Sequence, residues 1–229
     1  MTSNQLSRGK LTASYYGRVV FFSLLWMVVF FLPAGTLAFW EAWVVLGILV
    51  IPMLLSYPFF LRKDSETVER RAKTEEKEPE QKLIIKIISL FFVFTFLIPG
   101  FDRRFDWSTV PLAVVIISDV VLAIGFGICF LAIWQNRYAG RTIEVEQEQG
   151  VINSGLYGIV RHPMYMGMLL MFIAFPMALG SWWALIPALL ILPVLVARIL
   201  NEESVLFREL KGYPEYMEKT KYCLIPGIW

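Results

Sequence analysis

The sequence predicts an all-α, polytopic integral membrane protein of about five to six transmembrane helices, closed by a C-terminal helical hairpin and a cytosolic tail. Three observations predict it. Of the 229 residues 57% are hydrophobic and the mean hydropathy is +0.61, more apolar than a soluble domain of this size. The apolar residues fall in long runs, and about 20 residues at 1.5 Å rise cross a hydrocarbon core of about 30 Å. Between the runs stand Pro and Gly breaks or densely charged stretches. A net charge of +2 offers no strongly basic face for nucleic acid.

Met1 to Tyr16 is polar, and the first apolar run leads directly into further spans, so no cleavable signal peptide is expected. The first span runs from about Tyr16 to Leu32 and is closed by Pro33; a tight link through Gly35 leads to the second, from about Phe39 to Leu61. So short a link makes the two an antiparallel hairpin. Residues 62–82 then hold seven basic and seven acidic side chains and read as a solvated helix or loop beside the membrane, or as a lid over a membrane-facing site. Glu69 and Lys73 stand at i,i+4 spacing there.

A third span is expected from Leu83 to Ile98, ended by Pro99-Gly100, with a loop from Phe101 to Ser108. A fourth runs from Pro111 to Trp134 and encloses Asp119, an ionisable group that must face protein or water rather than lipid. After the polar stretch from Gln135 to Ile159, Met164–Leu179 and Trp182–Leu200 form a hairpin turned at Gly180-Ser181. Asn201-Glu202-Glu203 ends the hydrophobic part, and an amphipathic tail follows.

Orientation follows from the cations. Of the 21 Lys and Arg, all but Arg103 and Arg104 share one side if six crossings start from a cytoplasmic N-terminus. The expected location is a cell membrane with both termini cytoplasmic. On that face the final hairpin brings the His162 segment towards Glu202-Glu203.

The stretch Gly155-Leu156-Tyr157-Gly158-Ile159-Val160-Arg161-His162-Pro163-Met164-Tyr165-Met166-Gly167 holds the only histidine. Arg, His and Tyr at a span boundary commonly act as interfacial anchors. They can also form a ligand site together with Arg198 and Glu202, which lie four apart on one helical face, and with Glu203. Such a set suits a ligand with carboxylate and hydroxyl or ammonium groups. There is no Gly-rich phosphate loop. One histidine and two cysteines, Cys129 and Cys223, suggest neither a metal site nor a disulfide framework.

The block Gly155-x-Tyr157-x-x-Val160-Arg161-His162-Pro163-x-Tyr165-x-Gly167, followed by a hairpin and Glu202-Glu203, resembles the isoprenylcysteine carboxyl methyltransferase family, in particular its prokaryotic membrane branch. The tail Gly212-Tyr213-Pro214-Glu215-Tyr216 and Leu224-Ile225-Pro226-Gly227-Ile228-Trp229 is similar to that branch as well. The resemblance covers roughly residues 135–229. It implies N-terminal transmembrane helices over 1–134 and a methyltransferase-like cofactor-binding region over 135–229. It implies that S-adenosylmethionine is the cofactor, contacted by Arg161, His162, Tyr165 and Glu202 or Glu203 and lined by Tyr157 and the backbone of Gln149, Gly150, Val151 and Ile152. Arg198 corresponds to a substrate-facing arginine. The acceptor implied is a lipophilic or prenylated carboxylate reached from the bilayer.

Other chemistries share parts of this pattern. Phospholipid N-methyltransferases have a similar Arg-His-Pro-x-Tyr and Glu-Glu arrangement. Membrane sterol reductases end in a similar block but use a nicotinamide cofactor. A non-catalytic membrane binding protein could keep the same fold.

Overall fold

Long uninterrupted apolar runs have no stable alternative to helix in lipid, because every backbone N–H and C=O must find its partner within the segment. In a computed structural model that describes residues 8–63, 79–139, 145 and 149–229, these runs are helices throughout. They are α1 (Arg8–Ala34), α2 (Trp40–Lys63), α3 (Pro79–Phe105), α4 (Leu112–Gln135), a 3-10 turn (Gly155–Gly158), α5 (Pro163–Ala178), α6 (Leu185–Glu209) and α7 (Tyr213–Lys219). No strand occurs among the described residues. Four stretches are long and apolar enough to cross a membrane: Thr12–Ala34, Ile84–Phe105, Leu112–Gln135 and Leu185–Glu209. Trp40–Ser56 and Pro163–Ala178 are shorter apolar helices. Most of the charged 62–82 segment, including Glu69 and Lys73, lies outside the described residues, as do Arg141, Glu144, Glu146 and Glu148.

Two helices run further than their sequences predict. α3 passes through Pro99-Gly100 and ends at Phe105, so the loop begins at Asp106 rather than Phe101. Proline removes one donor from the helical ladder, a loss that membrane helices tolerate when neighbours pack tightly. Here α1 supplies that packing: a Cβ on Gly100 would stand 2.8 Å from the Phe30 carbonyl oxygen and from Pro33. The Arg103 and Arg104 cations in the last turn also favour its negative end. Likewise α6 does not stop at Asn201-Glu202-Glu203 but continues to Glu209. The glutamates therefore sit on a rigid helix face, not at a fraying end.

α5 lies at the centre, packed on α4, α6, α2 and α3, and its contact with α4 is the most extensive in the molecule. Two glycines make that contact possible. A Cβ on Gly167 would fall 2.6 Å from the Gly125 carbonyl oxygen and 2.7 Å from Cys129 Sγ; one on Gly125 would fall 2.8 Å from the Gly167 carbonyl oxygen. The backbones thus cross with no room for side chains, the close approach typical of small residues on membrane helices. Beside the crossing, Phe30 and Phe96 are fully buried with Phe175 and Leu122. Phe96 meets Trp26 and Phe175 edge to face, both at 4.4 Å. Outward-facing Phe21, Leu24, Ile117 and Leu190 stay exposed, as a lipid-facing surface requires.

At one end of the bundle the buried Asp102 of α3 accepts hydrogen bonds from Ser108 N–H and Oγ, and from Ser181 Oγ in the α5–α6 turn. This latch holds the end away from His162. Asp119 has a buried carboxylate oxygen with no hydrogen-bond partner among the described residues, as has Glu41; neither residue lines the cavity described below.

The crossing is testable. Gly167→Ala is expected to cost about 1–3 kcal/mol through overpacking, read as a lower thermal midpoint in detergent. Gly127→Ala, where a Cβ meets nothing within 4 Å, should not lower it. A Gly167→Ala protein that melts with the parent would show that the crossing has slack.

Candidate functional site

The other end of the bundle is where α4 finishes, α5 starts and α6 passes into the polar tail, and a cavity opens there. Pro163 starts α5 at its first position, where a missing N–H costs nothing, and His162 caps it. The residues before it are held by the tail: Arg161 N–H donates to the Tyr222 carbonyl and His162 N–H to the Cys223 carbonyl, both at 2.9 Å. The Arg161-His162 segment that leads into α5 is thereby tied to the tail.

Arg161 and Glu203 form the anchor. Arg161 Nε donates to Glu203 Oε1 at 2.6 Å and Nη2 to Oε2 at 3.2 Å, a fork-to-fork pair. Their side chains are only 9% and 13% exposed. Arg161 Nη1 also donates to the carbonyls of Thr220 (2.9 Å) and Lys221 (2.8 Å). His162 Nε2 lies 3.2 Å from Glu203 Oε1. A carboxylate can only accept, so that nitrogen carries the proton. Tyr213 Oη and Cys223 Sγ donate to the same oxygen at 3.4 and 3.5 Å.

Burial alone would lower the Arg161 pKa, but the hydrogen bonds and charge of Glu203 outweigh it and hold the guanidinium above its ordinary value. Burial, with the Glu203 carboxylate beside it, pushes the Cys223 thiol up to about 12. Tyr213 and Tyr216 are raised as well, first by burial.

The second glutamate faces the other way. Glu202 Oε2 accepts from Tyr165 Oη at 2.6 Å, and Tyr165 Oη accepts from Arg198 Nε at 3.0 Å. Glu202, Tyr165 and Arg198 therefore form one chain of hydrogen bonds across α5 and α6. Arg198, Glu202, Leu206 and Leu210 recur every four residues and all line the cavity, so one face of α6 and its C-cap forms a wall.

Every sequence-predicted site residue except Glu203 lines this cavity: Gln149, Gly150, Val151, Ile152, Tyr157, Arg161, His162, Tyr165, Arg198 and Glu202. Glu203 is set behind the wall and binds Arg161 and His162 from there. The two glutamates, adjacent in sequence, are separated by the helical turn into a lining residue and a supporting one. Sequence reasoning missed Asn136, Tyr138, Ala139, Met164, Leu206 and Leu210 as wall residues. Tyr213 and Tyr216 also line it, and Tyr216 Oη donates to the Tyr157 carbonyl at 2.7 Å. Only the tail tyrosines carried a signal, in the Gly212–Tyr216 resemblance.

The fold also gathers His162, Glu203 and Cys223 within 4.8 Å of one another, which spacing in the sequence does not suggest. Arg161 already engages both oxygens of that carboxylate, and burial beside it raises the pKa of the Cys223 thiol. A divalent cation would have to displace the guanidinium and ionise the thiol.

Residues 113–211 match the family model described as phospholipid methyltransferase. That stretch is under half of the chain; it runs from α4 to just past α6 and contains Arg161, His162, Tyr165, Arg198, Glu202 and Glu203. The match indicates a membrane methyltransferase. No curated protein matches the chain.

Two predictions concern the anchor. Glu203→Ala leaves the Arg161 charge buried and uncompensated and should cost about 3–5 kcal/mol, whereas Glu202→Ala should cost about 1 kcal/mol; denaturant titration in mixed micelles would rank them. Equal losses would remove the distinction between anchor and lining. The second concerns alkali. Cys223 has a folded pKa of about 12 against an ordinary 9.0, so the folded state holds a proton that the unfolded chain releases. Its contribution to stability is complete below pH 9 and is lost as pH rises from 9 towards 12. Tyr213 and Tyr216, raised from 10.0, act in the same sense from pH 10 upward. The thermal midpoint should fall above pH 9 in the parent and above about pH 10 in Cys223→Ala. A midpoint flat between pH 8 and 11 would contradict this.

Proposed function

We propose that the protein is an S-adenosylmethionine-dependent methyltransferase whose acceptor is a lipophilic carboxylate. The observation that carries the reading is the convergence of Arg161, His162, Tyr165, Arg198 and Glu202 on one cavity at the end of the bundle, within the segment that matches the methyltransferase family model. The cavity residues suit the proposed cofactor. Glu202 offers a carboxylate to an ammonium group, Tyr157, Tyr213 and Tyr216 offer aromatic surface to a flat ring, and Gln149–Ile152 offer backbone groups on the facing wall. When bound, S-adenosylmethionine supplies an electrophilic methyl group on a sulfonium.

What remains for the chain is to align an acceptor and exclude water, since methyl transfer is an in-line displacement with no proton that a carboxylate acceptor must lose. Arg198 stands one turn nearer the apolar part of α6 than Glu202, at the end of the cavity that an acceptor from the bilayer meets first. Its guanidinium would orient an anionic head group, and Tyr165, bonded to both Arg198 and Glu202, would fix the distance between acceptor and donor ends. Arg161, His162 and Glu203 hold the wall. From the cation distribution we place the cavity on the cytoplasmic side of the membrane, with both termini on that side, and the resemblance to the prokaryotic branch suggests a prokaryotic cell membrane.

A second reading, N-methylation of a phospholipid amine, is favoured by the description of the matched family. An amine must lose a proton before it attacks. His162 is the natural base, through Nδ1, since its Nε2–H is held by Glu203; the carboxylate acceptor ranks first because Arg198 puts a cation on the cavity wall, which suits an anionic head group better than an ammonium.

Calorimetric titration of detergent-purified protein with S-adenosylhomocysteine, with NADPH in parallel, tests the reading. Micromolar binding of the former alone is expected, lost by at least about tenfold in His162→Ala and Glu202→Ala and retained in Arg198→Ala, which should instead lose turnover. Labelled methyl transferred to a lipid extract should be released as methanol by mild base if the product is an ester; base-stable label would favour the amine. Binding to right-side-out but not inverted vesicles would overturn the orientation. Binding of NADPH alone would sink the methyltransferase reading.

A further inference from the structure

Gln135, the last residue of α4, is not a cavity residue, yet it closes the chain on which two cavity walls depend. Its Oε1 accepts a hydrogen bond from Leu156 N–H at 2.8 Å, across 21 residues. A second, steric observation concerns the residue beside Leu156. Gly155 has φ +61, and a Cβ built on it would fall 2.6 Å from Cδ, Oε1 and Nε2 of Gln135. The amide therefore lies against the Gly155 Cα, in space that any other residue would fill with its own side chain. The left-handed φ and the missing Cβ both call for glycine at this position.

The stretch between these partners leaves α4 and returns to it. Its outgoing end places Asn136, Tyr138 and Ala139 on the cavity, and its returning end places Gln149, Gly150, Val151 and Ile152 there. Beyond the clasp, the Leu156 carbonyl accepts from the N–H groups of Ile159 and Val160, each at 3.1 Å. So the turn that Gln135 holds is the turn that brings Tyr157 to the cavity and leads into Arg161 and His162.

We propose that Gln135 is a positioning residue for the donor site: by clasping Gly155-Leu156 to the end of α4 it sets the separation of the 136–139 and 149–152 walls and the placement of Tyr157. The proposal rests on the methyltransferase reading for its ligand, not for the clasp itself. Gln135 acts through the Leu156 amide and touches no substrate. Its acceptor oxygen is the operative feature, so Glu can replace it and Met, of similar length and helix propensity, cannot.

The test uses the full-length detergent-purified protein in three forms: parent, Gln135→Met and Gln135→Glu. Titration with S-adenosylhomocysteine should show about tenfold weaker binding for Gln135→Met, the scale of one lost hydrogen bond, and affinity within about threefold of the parent for Gln135→Glu. Hydrogen exchange in the ligand-free protein should be at least about fivefold faster over peptide 149–158 in Gln135→Met alone. Equal binding by Gln135→Met and the parent overturns the proposal, even if exchange accelerates, because Gln135 would then be only a local structural contact. So does an equal loss in both variants. If the parent itself does not bind S-adenosylhomocysteine, the methyltransferase reading fails, and the exchange rates alone decide whether the clasp exists.

Discussion

A single carboxylate organises the site end of this protein. Glu203 accepts from Nε and Nη2 of Arg161, from His162, and more weakly from Tyr213 and Cys223, donors that come from three other stretches of chain. Taking a guanidinium and a carboxylate out of water is expensive, and the cost is offset only where geometry is good and the remaining donors and acceptors are satisfied. Here they are: the spare Arg161 donor goes to two tail carbonyls. The ion pair therefore fixes α6, the Arg161-His162 segment and the tail relative to one another as one unit. Loss of either partner would leave a buried charge, which makes the arrangement all-or-none.

That unit does not stand on loops. It sits where α4 ends, α5 begins and α6 passes by, and those helices are held at two further levels. The Gly125–Gly167 crossing sets the spacing of α4 and α5 near the middle of the bundle, and the Asp102 latch ties α3 to the α5–α6 turn at the far end. A site built on one helix face and the ends of two other helices inherits their rigidity, which is what alignment of two reactants to within a fraction of an ångström demands. Charge is segregated accordingly. The cationic anchor is neutralised from behind by Glu203, while Glu202 and Arg198 present opposite charges to the cavity, a pattern suited to a zwitterionic ligand beside an anionic one.

Much of this was legible beforehand, and the rest was not for definite reasons. The helices follow from hydropathy alone, because lipid leaves an apolar run no other way to satisfy its backbone. Their ends were harder. Pro99-Gly100 and Asn201-Glu202-Glu203 carry local stop signals, but the packing of α1 against Gly100 and the burial of Glu203 override them, and neither contact is visible to a window of neighbouring residues. The lining residues Arg161, His162, Tyr165, Arg198 and Glu202 were found through a motif. Gln135, Thr220 and Cys223 were not, because two of them act through or upon backbone groups and the third through a neutral thiol, and such partners leave no pattern of residue types.

The sequence by itself determined that this is a helical membrane protein, and which few polar side chains had reason to meet at one membrane boundary. Those are consequences of local composition and of helical periodicity. The tertiary structure alone decided how the polar residues divide their work: that Glu202 faces the cavity while its neighbour Glu203 supports the wall, and that the tail closes over Arg161. About 100° of helical rotation separates adjacent residues, and only the surrounding packing states which of the two directions is the inside.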